Sequence, residues 1–148
     1  MAELDRGALE ALVRQVLLEK LGAGGPSPSA HGVKKVPVPG LDVEERHRLD
    51  TGRPGDRVWT RDLFTLEDSP RLGCGLMVME GTTFPWKLGY DEMDYVVEGR
   101  LDILVDGDRV SAGPGEVVYI PKGSSIQFSA EGKVRFLYFV YPADWQKQ

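Results

Sequence analysis

From Val33 onward the chain has no apolar run with a helical period. It has short stretches rich in Val, Ile, Tyr and Phe, each cut off by a turn. The clearest of these predict strands at residues 58–64, 75–80, 93–98, 101–105, 116–120 and 134–141. Asp106-Gly107, set between LDILV and DRV, is a strong hairpin signal, because both turn positions tolerate the positive φ that tight hairpins need. Many short strands at regular spacing bury their backbone polar groups only by pairing into a sandwich or a barrel. Periodicity does not choose between the two.

The N-terminus reads differently. In residues 1–22, Leu9, Leu12, Val13, Val16 and Leu17 recur at helical spacing and gather on one face. Asp5 is a candidate N-cap, Lys20 suits the last turn, and Gly22 can close the helix. Residues 23–32, AGGPSPSAHG, hold too little apolar surface to offset the entropy of ordering and predict a flexible tether. The expected organisation is thus an amphipathic helix at 1–22, a linker at 23–32 and a β domain at 33–148.

Charge narrows the partners. A net charge of −5 and a pI near 5.1 argue against a nucleic-acid surface or an anionic membrane, both of which reward clustered Lys and Arg. No apolar run approaches the roughly 20 residues needed to cross a bilayer. The single cysteine, Cys74, has no intrachain disulfide partner, which suits a reducing, cytoplasmic setting.

Two stretches carry the fold. In EMDYVVEG, Glu92 and Gly99 are separated by six residues; in GEVVYIPKG, Gly115, Pro121 and Gly123 stand in the spacing Gly-x5-Pro-x-Gly. In this order, one hairpin apart, they resemble the two halves of the cupin signature. The resemblance implies an all-β, single-domain cupin, a double-stranded β-helix or jelly-roll barrel, preceded by the amphipathic helix. Ordinary cupins place two histidines shortly before the Glu and a third just after the last Gly. Here those positions hold Pro85, Trp86, Lys87, Leu88 and Ile126, while His31 and His47 lie outside both motifs. Glu92 alone remains of four ligand positions. A transition metal needs three or four donors, so none is expected.

A narrower likeness follows. FPWKLGYDEMDYVVEG, IPKGSSIQF and VRFLYFVYPADWQ resemble the corresponding stretches of the EutQ family of bacterial ethanolamine utilisation, whose members usually carry a longer N-terminal region. The resemblance implies phosphoryl transfer between ATP and acetate, with ATP and Mg²⁺ as cofactors. Neither a GxxxxGK[ST] nor a GxGxxG motif is present, so nucleotide must be held in some other way. The alternative is a non-catalytic cupin that binds a small molecule or serves assembly.

Strand alternation puts Glu92 and Asp94 on one face, and the cupin likeness turns that face inward. Glu92, Asp94 and Lys122 are the candidate catalytic residues. Trp86, Lys87, Tyr90, Asp91, Ser124, Ser125 and Arg135 are candidates for binding substrate. Lys87, Lys122 and Arg135 are the expected cationic partners of the two acids. Outward Tyr95 and Val97 predict a homodimer. The helix and its tether resemble encapsulation peptides of bacterial microcompartment cargo, which implies shell or cargo proteins as partners of residues 1–22 and a cytoplasmic microcompartment as the location.

Overall fold

Asp5 opens the helix α1 (Arg6–Lys20) by accepting the Gly7 N–H at 3.3 Å, which satisfies one of the free donors of a first turn. Leu9, Leu12 and Val13 are exposed. The computed structural model describes residues 5–20, with side chains as far as Arg14, and residues 30–148. Gly22, most of the expected linker, and the side chains of Val16, Leu17 and Lys20 lie outside the described residues. The chain divides into two units, Met1–Leu41 and Asp42–Gln148.

The second unit holds seven antiparallel strands: β1 (Val58–Asp62), β2 (Gly73–Lys87), β3 (Asp91–Glu98), β4 (Leu101–Val105), β5 (Asp108–Ala112), β6 (Val117–Ile120) and β7 (Ser125–Tyr141). β2 and β7 are far longer than their sequence predicts. Gly81 and residues 131–133, just outside the expected strands 75–80 and 134–141, lie within the continuous strands β2 and β7. The register between β2 and β7 shifts from Glu80 to Thr82, a bulge that turns both strands through a corner.

That corner makes two walls from one sheet. On one side the order is β1-β2-β7-β3-β6; on the other, the first half of β7 pairs with β4, and β4 with β5. Inward residues of both walls, among them Met77, Met79, Phe84, Val96, Ile103, Ile126, Phe128 and Phe136, form one buried cluster. The result is the expected all-β cupin barrel. Gly99 (φ 79°) and Gly115 (φ 87°) take the left-handed conformation at the ends of the two signature halves, where a side chain is strained.

Candidate active site

β3 alternates as the sequence predicts. Glu92, Asp94 and Val96 are buried, whereas Met93 and Tyr95 are exposed. Val97 departs from the pattern, because a register shift between Val96 and Glu98 leaves it half-buried. Glu92 is 3% exposed and Asp94 is fully buried. Glu92 Oε2 and both Asp94 carboxyl oxygens have no hydrogen-bond donor. Asp102 shows how the same fold treats a structural acid. Burial pulls its carboxyl up, but bonds from Ser111 and Arg100 and the charges of Arg100 and Arg109 hold it below the usual range.

The two inward acids have no such help, and they share their protons instead. Burial pushes Glu92 up to about 7, opposed by its interaction with Asp94. Burial, and then the Glu92 charge, push Asp94 well above the carboxylate range. Near neutral pH the pair therefore carries at least one proton, and a carboxylic acid donates where two carboxylates only repel. Shifts of this kind, in a concave site, make the two carboxyls candidates for a functional role.

Glu92, but not Asp94, lines a cavity of about 10 Å³, room for one water, together with Leu49, Met77, Phe84, Trp86, Tyr90, Phe128, Tyr138 and Trp145. Tyr90 and Tyr138 supply hydroxyls. Trp86 Nε1 donates to Tyr90 Oη at 2.8 Å, and Tyr138 Oη donates to Asp62 at 2.6 Å. Beyond the aromatic rim opens a cleft of about 710 Å³ whose lining includes Arg46, Arg48, Asp50, Asp62, Lys87 and Gln146. Ligand sites commonly fall in this size range.

Of the residues singled out in the sequence, the structure brings Trp86, Lys87, Tyr90, Glu92 and Asp94 to this end of the barrel. Lys122, Ser124 and Ser125 sit beside the same stretch, Ser125 paired with Lys87 and the Ser124 carbonyl accepting the Leu88 N–H, but like Arg135 they line neither the cavity nor the cleft. Arg135 has odd parity on β7, opposite to inward Phe136, Tyr138 and Val140, and it pairs with Asp42 at 3.3 Å and Glu98 at 3.7 Å. Lys122 sits exposed on the turn before β7, its backbone N–H donating to Asp91 Oδ1 at 2.8 Å. Ser124 Oγ donates to the Pro121 carbonyl, and Ser125 is exposed. None of the three expected cations bonds the unpartnered Glu92 and Asp94 oxygens. Trp145, Tyr138, Asp62, Arg46 and Arg48 line the site without having been expected there. Apart from VRFLYFVYPADWQ, none stands in a recognisable motif, and each arrives through long-range folding.

The acids do not fit Mg²⁺. They offer hard oxygens, but they retain a proton between them. The cavity is otherwise apolar, with no space for the several waters that Mg²⁺ keeps. Among the described residues, no group of three or more His, Cys, Asp and Glu side chains is arranged to hold a metal ion.

The chain matches the family described as ethanolamine utilisation protein EutQ over residues 4–147. It belongs to the EutQ family. Acetate kinase EutQ of Clostridioides difficile (strain 630) is 49% identical over 154 residues, covering 100% of this chain and 98% of that protein. The longer N-terminal region expected of EutQ proteins is therefore absent from that relative. The crystallised EutQ protein of Clostridium difficile superposes with a TM-score of 0.80 at 55% identity, over 83% of this chain and 90% of that one. A cupin-2 domain of an XRE family transcriptional regulator from Enterobacter cloacae shares the fold alone, with a TM-score of 0.50 at 16% identity over 57% of this chain and 95% of that domain. Among the described residues, no helix is long and apolar enough to cross a membrane.

Proposed function

We propose that this EutQ chain transfers a phosphoryl group between ATP and acetate. One observation carries the reading: Glu92, with a buried oxygen that no donor reaches, lines a small, largely apolar pocket behind a cleft with three cationic side chains. The C. difficile relative's name, acetate kinase, supports it. In its acid form Glu92 donates a hydrogen bond to one oxygen of the acceptor carboxylate, and Met77, Phe84 and Phe128 take the methyl. The other carboxylate oxygen attacks the γ-phosphorus, the bond to the β-phosphate bridging oxygen breaks, and ADP leaves into the cleft. Arg46, Arg48 and Lys87 neutralise phosphate oxygens, and positioning with charge neutralisation is most of what phosphoryl transfer asks of a protein. Mg²⁺ enters with the nucleotide as part of the substrate. Lys122, Ser124, Ser125 and Arg135 have no part in this reading.

Acetyl phosphate formation from ATP and acetate tests it. Wild type is expected to turn over, and Glu92→Ala and Asp94→Ala are each expected to lose about 100-fold or more in kcat. Absent turnover, or turnover that survives in both variants, overturns the assignment. Carboxylate binding without turnover leaves the non-catalytic binding or assembly cupin.

We further infer a homodimer. Met93 and Tyr95 on β3, Val117 and Tyr119 on β6, and Phe139 and Tyr141 on β7 are all exposed on three adjacent strands. The register sets Met93 between Tyr119 and Phe139. A continuous apolar face of this kind is unusual on a monomer, and a second copy covers it by two-fold pairing. Sedimentation is expected to give a dimer for wild type and a monomer for Tyr119→Lys combined with Phe139→Lys; a wild-type monomer refutes the pairing.

The exposed Leu9, Leu12 and Val13 of α1 suit capture by a groove on a microcompartment shell protein. Deletion of residues 1–22 is expected to abolish co-purification with shell proteins. Undiminished co-purification removes the helix from recruitment.

A further inference from the structure

We propose that the C-terminal turn Trp145–Lys147 is the movable wall of the Glu92 pocket, and that Trp145 sets the length of carboxylate chain the pocket accepts. The inference rests on the phosphotransfer reading above and extends it to the choice of acceptor.

Leu49, Trp86, Tyr90 and Trp145 line both the inner cavity and the outer cleft, so these four side chains form the partition between them. Trp86 belongs to β2, and Tyr90 directly precedes β3; a hydrogen bond ties the two rings together. Trp145 is held otherwise. It rides a three-residue turn beyond the last strand, and the hydrogen bonds seen for 144–148 stay within that segment. Its grip on the barrel is aromatic, with ring centroids 6.2 Å from Trp86, 5.8 Å from Tyr90 and 6.0 Å from Tyr138. Gly89 lets the chain end approach closely, since a Cβ there would meet the Gln148 carbonyl carbon at 2.8 Å.

A wall that makes no ladder hydrogen bonds can swing without breaking the sheet. It also has a reason to swing. The buried Glu92 Oε2 has no donor, yet the cavity that Glu92 lines has room for only one water and excludes even a two-carbon acid. Met77, Phe84 and Phe128 sit on β2 and β7 and hold the pocket floor still. The indole is the wall that yields, and its bulk sets how far an acyl chain extends. One methylene in an apolar pocket changes discrimination by roughly 10- to 200-fold, so truncating the indole should be visible in substrate choice.

Acetate, propionate and butyrate are assayed as acceptors with wild type, Trp145→Phe and Trp145→Ala. The ratio of kcat/KM for butyrate to that for acetate is expected to rise about tenfold or more in Trp145→Ala, with Trp145→Phe between. A ratio that stays within about twofold of wild type in both variants, while wild type turns over acetate, overturns the proposal. Trp145→Phe decides alone where Trp145→Ala does not fold. A wild type inactive on acetate overturns the phosphotransfer reading instead. The wall is then read from the shift each carboxylate gives to the unfolding midpoint: a preference that moves to longer chains in the variants sustains it, and an unchanged preference overturns it.

Discussion

Glu92→Gln is expected to unfold about 5–10 °C higher than wild type near pH 8.5, and at the same temperature as wild type near pH 4.5. Glutamine has the shape of the protonated acid and never ionises. In the folded protein the Glu92 carboxyl titrates at about 7 instead of 4.5. A carboxyl raised on folding contributes stability that is complete below its unfolded value and is lost as pH climbs through the folded one. Each unit is worth about 1.4 kcal/mol, so the loss approaches roughly 3 kcal/mol on the alkaline side. Of the groups facing Glu92, Asp94 on the same strand opposes the rise only in part, and Tyr90 ahead of β3 and Tyr138 on β7 with Asp62 behind it bring no positive charge. Calorimetry across this pH range is the measurement. Parallel curves for the two proteins mean that Glu92 does not carry the buried proton. The same substitution removes the group on which the proposed chemistry depends, so stability gained and turnover lost should appear in one variant.

Gly75→Ala is expected to destabilise the protein by about 2–3 kcal/mol. Gly75 is buried in β2 and pairs across the ladder with Tyr138 on β7. An added Cβ would lie 2.0 Å from Tyr138 Cζ and Oη. The phenol has little freedom to retreat, because its hydroxyl is bonded to Asp62 and its ring packs on Trp145. Displacing it also opens the pocket beside Glu92. Denaturant unfolding measures the loss, and Tyr138→Val introduced into Gly75→Ala is expected to recover part of it by removing the ring. A Gly75→Ala protein within about 0.5 kcal/mol of wild type refutes the close approach.

The inward acids were legible because a strand's period of two is local. Once EMDYVVEG is a strand, Glu92 and Asp94 share a face, and the resemblance to cupins implies which face is inside. The lengths of β2 and β7 were not legible. Gly81 and Gly132 carry the same local signal whether they end a strand or bend it, and only the partner strand across the corner decides. Arg135 illustrates the same limit. A cation near an acid in sequence pattern is a plausible partner, but its parity on β7 turned it toward Asp42 and Glu98.

Sequence alone determined what each segment can be: an amphipathic helix with an Asp cap, a set of strands, two glycine turns, and two acids two residues apart on one of the strands. These are matters of backbone conformation and residue spacing within about ten residues. Tertiary structure alone decided what surrounds the acids. Trp145 comes from the chain end, Tyr138 from β7, and Arg46 and Arg48 from the segment before β1. Burial without a partner, which raises both carboxyls, belongs to no residue by itself; it arises when distant side chains exclude water from the same small volume.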